Sequence, residues 1–283
     1  MPIAKIDIKA FRDRWLTLHH EYETTSYRLF KNAIDKQLKF VIDEIKDKGI
    51  FGITYLTQFI LPKEPMLIAY EKCYREIGVK HARFTDIFIK EVAREQEQKE
   101  RFNSAEFDRI MIEYFRKWGA LRVQEVDQTT IEYIQLVLEE GRLKGLTTSQ
   151  LADYIVKEIG DPAYSRRRAL VIARTESSNA ANYGAYISGQ NSDYETEKIW
   201  IGAEDSRERL SHFEQNGVRM AITLPFTVNI YKGSKGKEIL VGQDLMLHPG
   251  DASASAGNVI SCRCTIAYVP ILDELNLPIL KRN

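Results

Sequence analysis

The period of the apolar residues changes along this chain, and that change limits the folds available to it. From Phe11 to Ile45, apolar side chains recur every three or four positions, which places them on one face of an α-helix. After Gly189 the apolar segments are short, rich in β-branched and aromatic residues, and separated by Gly, Asn, Asp and Pro, which is typical of strands. The sequence therefore predicts an α+β fold: a mainly helical N-terminal region followed by a small α+β C-terminal domain.

Capping residues divide the helical region into separate helices. A polar cap followed three residues later by Glu or Gln is typical of a helix start. This pattern occurs at Asn103/Glu106, Thr129/Glu132 and Thr147/Gln150. Glycines follow where these and the preceding helices are expected to end, at Gly119, Gly145 and Gly160. A further helix is expected between Ser165 and Gly189.

The charges of the chain balance. Its 283 residues include 40 Lys and Arg and 40 Asp and Glu, and neither side of position 160 carries an excess. A protein that binds duplex DNA mainly through its net charge needs a positive excess, because phosphate neutralisation supplies most of the affinity. Any DNA contact must therefore be local. The candidates for such a contact are two compact basic groups: Arg166, Arg167 and Arg168, and Lys232, Lys235 and Lys237. The alternative interpretation is that these side chains are exposed to solvent and contact no DNA.

Apolar run lengths and cysteine usage indicate the setting of the chain. No apolar run approaches the length needed to cross a bilayer, and residues 1–14 carry charges of both signs. We therefore expect neither a membrane anchor nor a signal peptide. The cysteines are Cys73, Cys262 and Cys264. Their number is odd, and two thiols one residue apart bridge poorly, so a reducing, intracellular setting is expected.

A short helix is expected to begin near Asp205. It would place Asp205, Arg209 and His212 on one face, and Asp205 would pair with Arg209. Asp205, Arg207 and His212 also suit a metal-dependent nuclease or nucleotide transferase. The sequence contains, however, no Gly-rich phosphate loop, nucleophile elbow or zinc-protease motif. We therefore assign no catalytic residues and keep the enzyme as an alternative.

Charged residues in the preceding helix are expected to join it to the sheet. Glu176, two residues after Arg174, is expected to form an ion pair with Arg207 or Arg263. Arg263 lies between two cysteines and would project to the opposite face of the strand from them. The sequence therefore predicts an internal ion-pair clasp.

His212, Cys262 and Cys264 are of the residue types that bind zinc. Both thiols would share one face of a strand. A tetrahedral site needs a fourth ligand. The candidates are His248, Asp251 and Asp205. One Cys-x-Cys is a weaker signal than two Cys-x-x-Cys motifs, so we expect buried thiols beside a hydrogen-bonded histidine and no cofactor, with zinc as the alternative.

The order of these residues resembles that of a known family. The markers lie between residues 165 and 270, and they are Arg174-Thr175-Glu176, Trp200, Asp205, Arg207, His212, Pro225-Phe226 and Cys262-Arg263-Cys264. They are similar to the C-terminal domain of tailed-phage head-morphogenesis proteins, the Mu F-like minor capsid proteins. The resemblance implies no catalytic residues, so the markers, together with Arg209 and Asp251, are interpreted as structural positions.

The resemblance also implies a division of the chain and a function. Residues 1–160 would be a helical region that engages the portal or another partner, residues 161–270 the Mu F-like α+β domain, and residues 271–283 a C-terminal tail. The implied protein is a minor capsid component of a phage or prophage, inside the virion head near the portal and in the host cytoplasm during assembly. It would assist head assembly and genome packaging or delivery. Expected partners are the portal protein, the major capsid or scaffolding protein, and phage DNA; a DNA-binding module is a second alternative.

Overall fold

Helices dominate the described residues up to Asn191. The structure, a computed structural model, describes residues 2–49, 61–93, 102–233 and 237–281. The helical elements are α1 (Ile8–Lys48), α2 (Glu64–Cys73), a π-helical turn (Tyr74–Gly78), α3 (Val79–Val92), α4 (Ser104–Leu143), α5 (Thr148–Ile159) and α6 (Pro162–Asn191). None of the helices in these ranges combines the length and the apolarity that crossing a bilayer requires.

Strands and two short helices follow. They are β1 (Thr196–Ile201), α7 (Leu210–Phe213), β2 (Arg219–Ala221), β3 (Phe226–Lys232), β4 (Ile239–Met246), α8 (Ala256–Val259) and β5 (Thr265–Pro270). One antiparallel sheet has the order β2-β1-β5, and β3 and β4 form a separate antiparallel pair. In that pair Ile230 faces Gly242 and Tyr231 faces Leu240, so Val241 is an extra residue that makes a β-bulge. The α+β class predicted from the apolar period is confirmed.

The chain packs as two compact units. One contains Met1–Thr25, Cys73–Ile112 and Arg174–Asn283, and the other contains Ser26–Lys72 and Glu113–Ala173. The long helices α1, α4 and α6 each contribute residues to both units. Each unit thus combines stretches that are distant in sequence. The predicted division of the chain into domains after residues 160 and 270 follows the chain order instead, and it stays a prediction.

In the three-stranded sheet, β1 and β5 are buried on both faces, which explains the apolar runs at residues 199–201 and 266–269. All of β5 is buried, and only Glu197 in β1 is partly exposed. One face packs into a cluster that includes Trp200, Phe226 and Ile266. The other face places Ile199, Ile201, Ala267 and Val269 against Phe11 of α1.

The predicted helix boundaries are only partly confirmed. Thr147 and Gln150 form a reciprocal capping box at the start of α5, and the Asn103 side chain accepts the backbone N–H of Glu106 at 3.3 Å. The predicted break at Gly119 and restart at Thr129 are wrong, because α4 continues through both. The Thr129 hydroxyl donates to backbone carbonyl groups within the same helix instead of capping a new one.

The C-terminal tail returns to the unit that contains the strands. Isolated β-bridges join Ile271 to Ile3 and Leu280 to Tyr194. The backbone N–H of Lys281 donates to the carbonyl oxygen of Asp193 at 2.8 Å. Backbone hydrogen bonds therefore hold the described part of the tail at Ile271 and at Lys281, although Leu280 keeps an exposed side chain.

A histidine of α3 is fully buried among aromatic side chains. The His81 ring lies 5.0 Å from Trp15 and 5.8 Å from Tyr22, measured between centroids. Among the described residues, its Nε2 has no hydrogen-bond partner. Burial, together with a smaller effect of nearby His19, lowers the pKa of His81 from 6.5 to about 3. The folded protein therefore holds this ring neutral.

We expect the free energy of unfolding to fall as the pH is lowered from about 6.5 towards 3. In this range the unfolded chain binds a proton at His81 that the folded chain excludes, so the contribution is fully present above the unfolded pKa. The expected slope from this ring is up to about 1.4 kcal/mol per pH unit. Urea unfolding at several pH values measures it. A His81→Phe variant should show a shallower slope, and an equal slope would contradict the interpretation.

Candidate functional site

His212 is positioned by the short helix α7. This helix begins at Leu210 with Arg209 as its N-cap, not near Asp205 as the sequence predicted. Asp205 lies in the preceding turn, where its Oδ1 accepts the backbone N–H of Arg207 at 2.9 Å. Such a local hydrogen bond stabilises a turn, and it explains why the helix starts later.

Asp205 forms its ion pair with Arg263. The Arg263 guanidinium contacts Oδ2 of Asp205, and Nη2 of Arg207 lies 4.0 Å from the same oxygen. Burial raises the pKa of Asp205, but hydrogen bonds from the Arg207 backbone and from Arg263 outweigh it, so the pKa lies below its usual value. The predicted pairing of Asp205 with Arg209 is wrong, because Arg209 donates to the carbonyl oxygen of Ile260.

The predicted pairing of Glu176 with Arg207 or Arg263 is also wrong, since both arginines contact Asp205. Glu176 is buried in α6 and accepts the Tyr74 hydroxyl at 2.9 Å. The strand-containing unit does have an internal ion pair with Arg263, but its acid is Asp205, which lies in a loop. Glu176 was misassigned because spacing along a helix does not show which loop residue approaches it.

The side chains of His212, Cys262 and Cys264 meet in the core of the strand-containing unit. Nδ1 of His212 lies 3.5 Å from each Sγ atom, and the three potential ligand atoms lie within 4.8 Å of one another. All three residues are at most 2% exposed. Both cysteines precede β5 instead of lying within it, but their alternation still brings the two thiols to the same side. Buried nitrogen and sulfur donors of this kind suit zinc.

The two thiols differ in proton affinity. The pKa of Cys262 lies well below its usual value, because the Cys264 thiol donates a hydrogen bond to it and His212 lies beside it. The pKa of Cys264 is raised by the same hydrogen bond and by burial. Cys262 is therefore the thiol that ionises more easily, and the thiolate is the form that binds metals.

Comparison with known families identifies this region. Residues 132–267 match the family model described as Phage Mu protein F like protein. This region is Mu F-like. The resemblance noted from the sequence is thus confirmed over a stretch that contains His212 and both cysteines, and the match begins earlier than the predicted boundary at residue 161. No curated protein and no solved structure gives a significant match to the chain.

The three residues considered as fourth ligands are engaged elsewhere in the Mu F-like region. Asp205 pairs with Arg263, as described above. His248 Nδ1 lies 3.0 Å from the carbonyl oxygen of Pro249, and Asp251 Oδ2 accepts the backbone N–H of Leu247 at 2.8 Å. Asp251 thereby holds the turn after β4. Among the described residues, no acid or histidine joins His212 and the two cysteines in the tight cluster.

Sequence reasoning missed Glu208. Its Oε1 lies 3.7 Å from Sγ of Cys264, and its Oε2 accepts the backbone N–H of Glu204 at 2.8 Å. The available signal was the spacing of four residues to His212. That spacing indicates proximity only within one helix, whereas α7 begins at Leu210 and Glu208 is placed by the turn at Asp205.

Sequence reasoning also missed Lys198, which is 0% exposed in β1. Its Nζ donates to the carbonyl oxygen of Leu247 at 2.7 Å and lies 4.9 Å from the centroid of the Phe226 ring. Burial lowers the pKa of Lys198 to about 8. A lysine directly before the apolar run Ile199-Trp200-Ile201 was the signal available in the sequence.

A cleft with a volume of about 890 Å³ opens beside Glu208. Acidic and basic side chains line it, together with the apolar side chains of Leu210 and Phe213. Phe213 is 62% exposed. The cleft therefore gives solvent access to the carboxylate of Glu208, while His212 remains buried.

The two basic groups are only partly available for DNA contact. Arg168 is half-buried, and its guanidinium donates to the carbonyl oxygen of Val126 and to Thr129. The exposed members are Arg166, Arg167, Lys232 and Lys237. Lys235 lies outside the described residues. The packing of Arg168 removes it from the group, and DNA contact by the exposed members stays a prediction.

Proposed function

We propose that this chain is a minor head protein of a tailed phage or prophage, placed in the head interior near the portal, where it assists head assembly and genome packaging or delivery. The observation that carries the proposal is the Mu F-like match over residues 132–267. The family match supports a role in phage head morphogenesis. Association with the portal is the finer part of the proposal.

An exposed apolar surface on β4 supports association with a protein partner. Its side chains, which we call the β4 surface, are Ile239, Leu240, Val241 and Leu245, and each is at least half exposed. In the described part of the chain β4 pairs with β3 alone, so its other edge is open. Exposed apolar strand edges are sites of protein association. We infer that the portal protein is the partner that covers this surface.

Co-purification with the cognate portal protein tests this inference. The Ile239→Asp/Leu245→Asp variant should lose portal binding by at least about tenfold, because two charges would be buried at the interface. Leu143→Asp is the matched control, since Leu143 is 81% exposed and lies in the other unit. Circular dichroism checks that both variants fold. Equal binding by the folded β4 variant and the control would contradict the assigned surface.

The proposed role is structural and non-enzymatic, as the family indicates. The geometry supports it, because Asp205 is engaged by Arg263 and His212 is 1% exposed. These two residues are therefore not presented to a nucleic acid as an acid–base pair. A nuclease assay with added divalent cations tests this point. Cleavage by the wild-type protein that is lost in His212→Ala would overturn the non-enzymatic role.

We infer that any contact with phage DNA in the helical region uses Arg166 and Arg167, which are exposed at the start of α6. Replacing both with alanine should weaken duplex binding and reduce its salt dependence, because fewer counterions are released. Binding measured at low and moderate salt provides the test. Exposed arginines of another helix, Arg109 and Arg116, provide a matched double-alanine control. Identical salt dependence in the wild-type protein and the Arg166/Arg167 variant would contradict the contact.

A further inference from the structure

We propose that the Mu F-like region binds a structural Zn²⁺ ion through Nδ1 of His212, Sγ of Cys262, Sγ of Cys264 and Oε1 of Glu208. The proposal rests on side-chain geometry within one compact unit. It goes beyond the assignment to phage heads and is independent of it.

Three of the distances between donor atoms match the edges of a zinc tetrahedron. Zn–S bonds of about 2.3 Å and Zn–N or Zn–O bonds of about 2.1 Å, at tetrahedral angles, place sulfur about 3.6 Å from nitrogen or oxygen. Nδ1 of His212 lies 3.5 Å from both Sγ atoms. Oε1 of Glu208 lies 3.7 Å from Sγ of Cys264. These three edges already suit an ion, whereas Oε1 of Glu208 lies outside the tight cluster of the other three ligand atoms and moves towards it when the ion binds.

Hydrogen bonding alone does not explain this arrangement. One imidazole nitrogen carries either one proton or one lone pair, so Nδ1 of His212 can make one good hydrogen bond. Here it lies equally close to two thiols, and one of those thiols also faces the Glu208 carboxylate. A cation at the centre interacts favourably with all four donors at once. A set containing two sulfurs and one imidazole favours zinc over magnesium or calcium, which select oxygen ligands.

The ligands are held in place by surrounding groups. Ser178 Oγ donates to the carbonyl oxygen of Cys262 at 2.6 Å, and Asn182 Nδ2 donates to that of Cys264 at 3.0 Å, so helix α6 fixes the loop that carries both thiols. The Trp200 ring lies edge-on to His212 at 5.4 Å. Outer contacts of this kind orient metal ligands.

Glu208 completes the site and explains how an ion enters. Its Oε2 accepts the backbone N–H of Glu204 at 2.8 Å, which turns Oε1 towards Cys264. Glu208 also lines the cleft described above, so the fourth position is the one that solvent reaches. Four protein ligands leave no open coordination position, which is the pattern of a structural site and not of a catalytic one.

Metal analysis of the full chain, purified under reducing conditions without chelator or affinity nickel, tests the proposal. We expect about one zinc ion per chain in the wild-type protein and none in Cys262→Ala/Cys264→Ala. Cys73→Ala is the matched control, because Cys73 is a buried thiol outside the cluster and its loss should leave zinc unchanged. Zinc absent from the wild-type protein, and not bound when added to it, would overturn the proposal. Equal zinc in the double variant would overturn it as well.

Cobalt substitution provides a second measurement on the wild-type chain, which avoids any folding defect of the cysteine variants. The Co²⁺ form should show the intense visible bands of tetrahedral coordination and thiolate charge transfer. Glu208→Ala should weaken zinc affinity by about tenfold to a hundredfold and change the cobalt spectrum. Glu238→Ala, which removes another acid that lines the same cleft, should do neither. A Glu208→Ala protein with unchanged affinity and spectrum would overturn the assignment of Glu208 as a ligand.

Discussion

Replacing Gly184 with alanine is expected to lower the free energy of unfolding by about 3 kcal/mol or more, the upper range for overpacking. A Cβ at this position of α6 would lie 2.1 Å from the carbonyl oxygen of Gly78 and 2.9 Å from its carbonyl carbon. These atoms belong to the backbone of the π-helical turn, so no side-chain rotation relieves the clash. Either α6 or the turn must move. Thermal or urea unfolding measures the loss.

Gly257→Ala is the matched control for this substitution. Gly257 also lies in a helix, α8, and an added Cβ would meet only Ser255 Oγ at 3.9 Å. We expect little change in stability, or a small gain from the higher helix propensity of alanine. Similar losses in both variants would show that the close approach of α6 to the π-helical turn is not a strong constraint.

Replacing Trp200 with alanine is expected to cost about 3–5 kcal/mol of the free energy of unfolding, the usual range for removing a buried tryptophan. Trp200 is 0% exposed and packs edge-on against His212 and Phe226, with ring centroids 5.4 Å and 5.3 Å away. Its removal leaves a cavity beside the residues that bring His212 to the thiols. Urea unfolding of the variant measures the effect.

Trp200→Phe separates packing from hydrogen bonding at this position. Among the described residues, the indole Nε1 of Trp200 has no hydrogen-bond partner, so phenylalanine loses volume but no bond. We therefore expect a much smaller loss than for alanine. Equal losses in the two variants would contradict the view that filled volume is the main contribution of Trp200.

The sequence predicted the α+β class because the apolar period reports directly on which face of an element is buried. It failed at Gly119 and Thr129, where capping signals are weak compared with packing. Val123, Ile134 and Val137 are nearly fully buried along one continuous helix. Burying such side chains contributes about 1.5–3 kcal/mol each, more than a cap does. Tertiary packing therefore decided the boundary.

The sequence predicted three residues of the candidate site, but it did not predict the acid that lies beside them. His212, Cys262 and Cys264 were recognised as zinc-ligand candidates because Cys and His are the residue types that bind zinc, although the single Cys-x-Cys motif favoured buried thiols without a metal. The positions of Glu208 and of Asp205, the partner of Arg263, depend on the turn around Asp205. In this turn Glu204 adopts a positive φ of 51°. A non-glycine residue in that conformation is uncommon, and sequence patterns do not indicate it. The positions of the two acids therefore became clear only in the fold.

Electron microscopy of particles from the phage or prophage that encodes this chain, with its gene deleted, tests the proposed role in head assembly most directly. We expect the deletion to give malformed or DNA-free heads with a large loss of infectious titre, and we expect the wild-type chain supplied in trans to restore filled heads. Heads that assemble, fill with DNA and infect normally without this chain would contradict the proposed function.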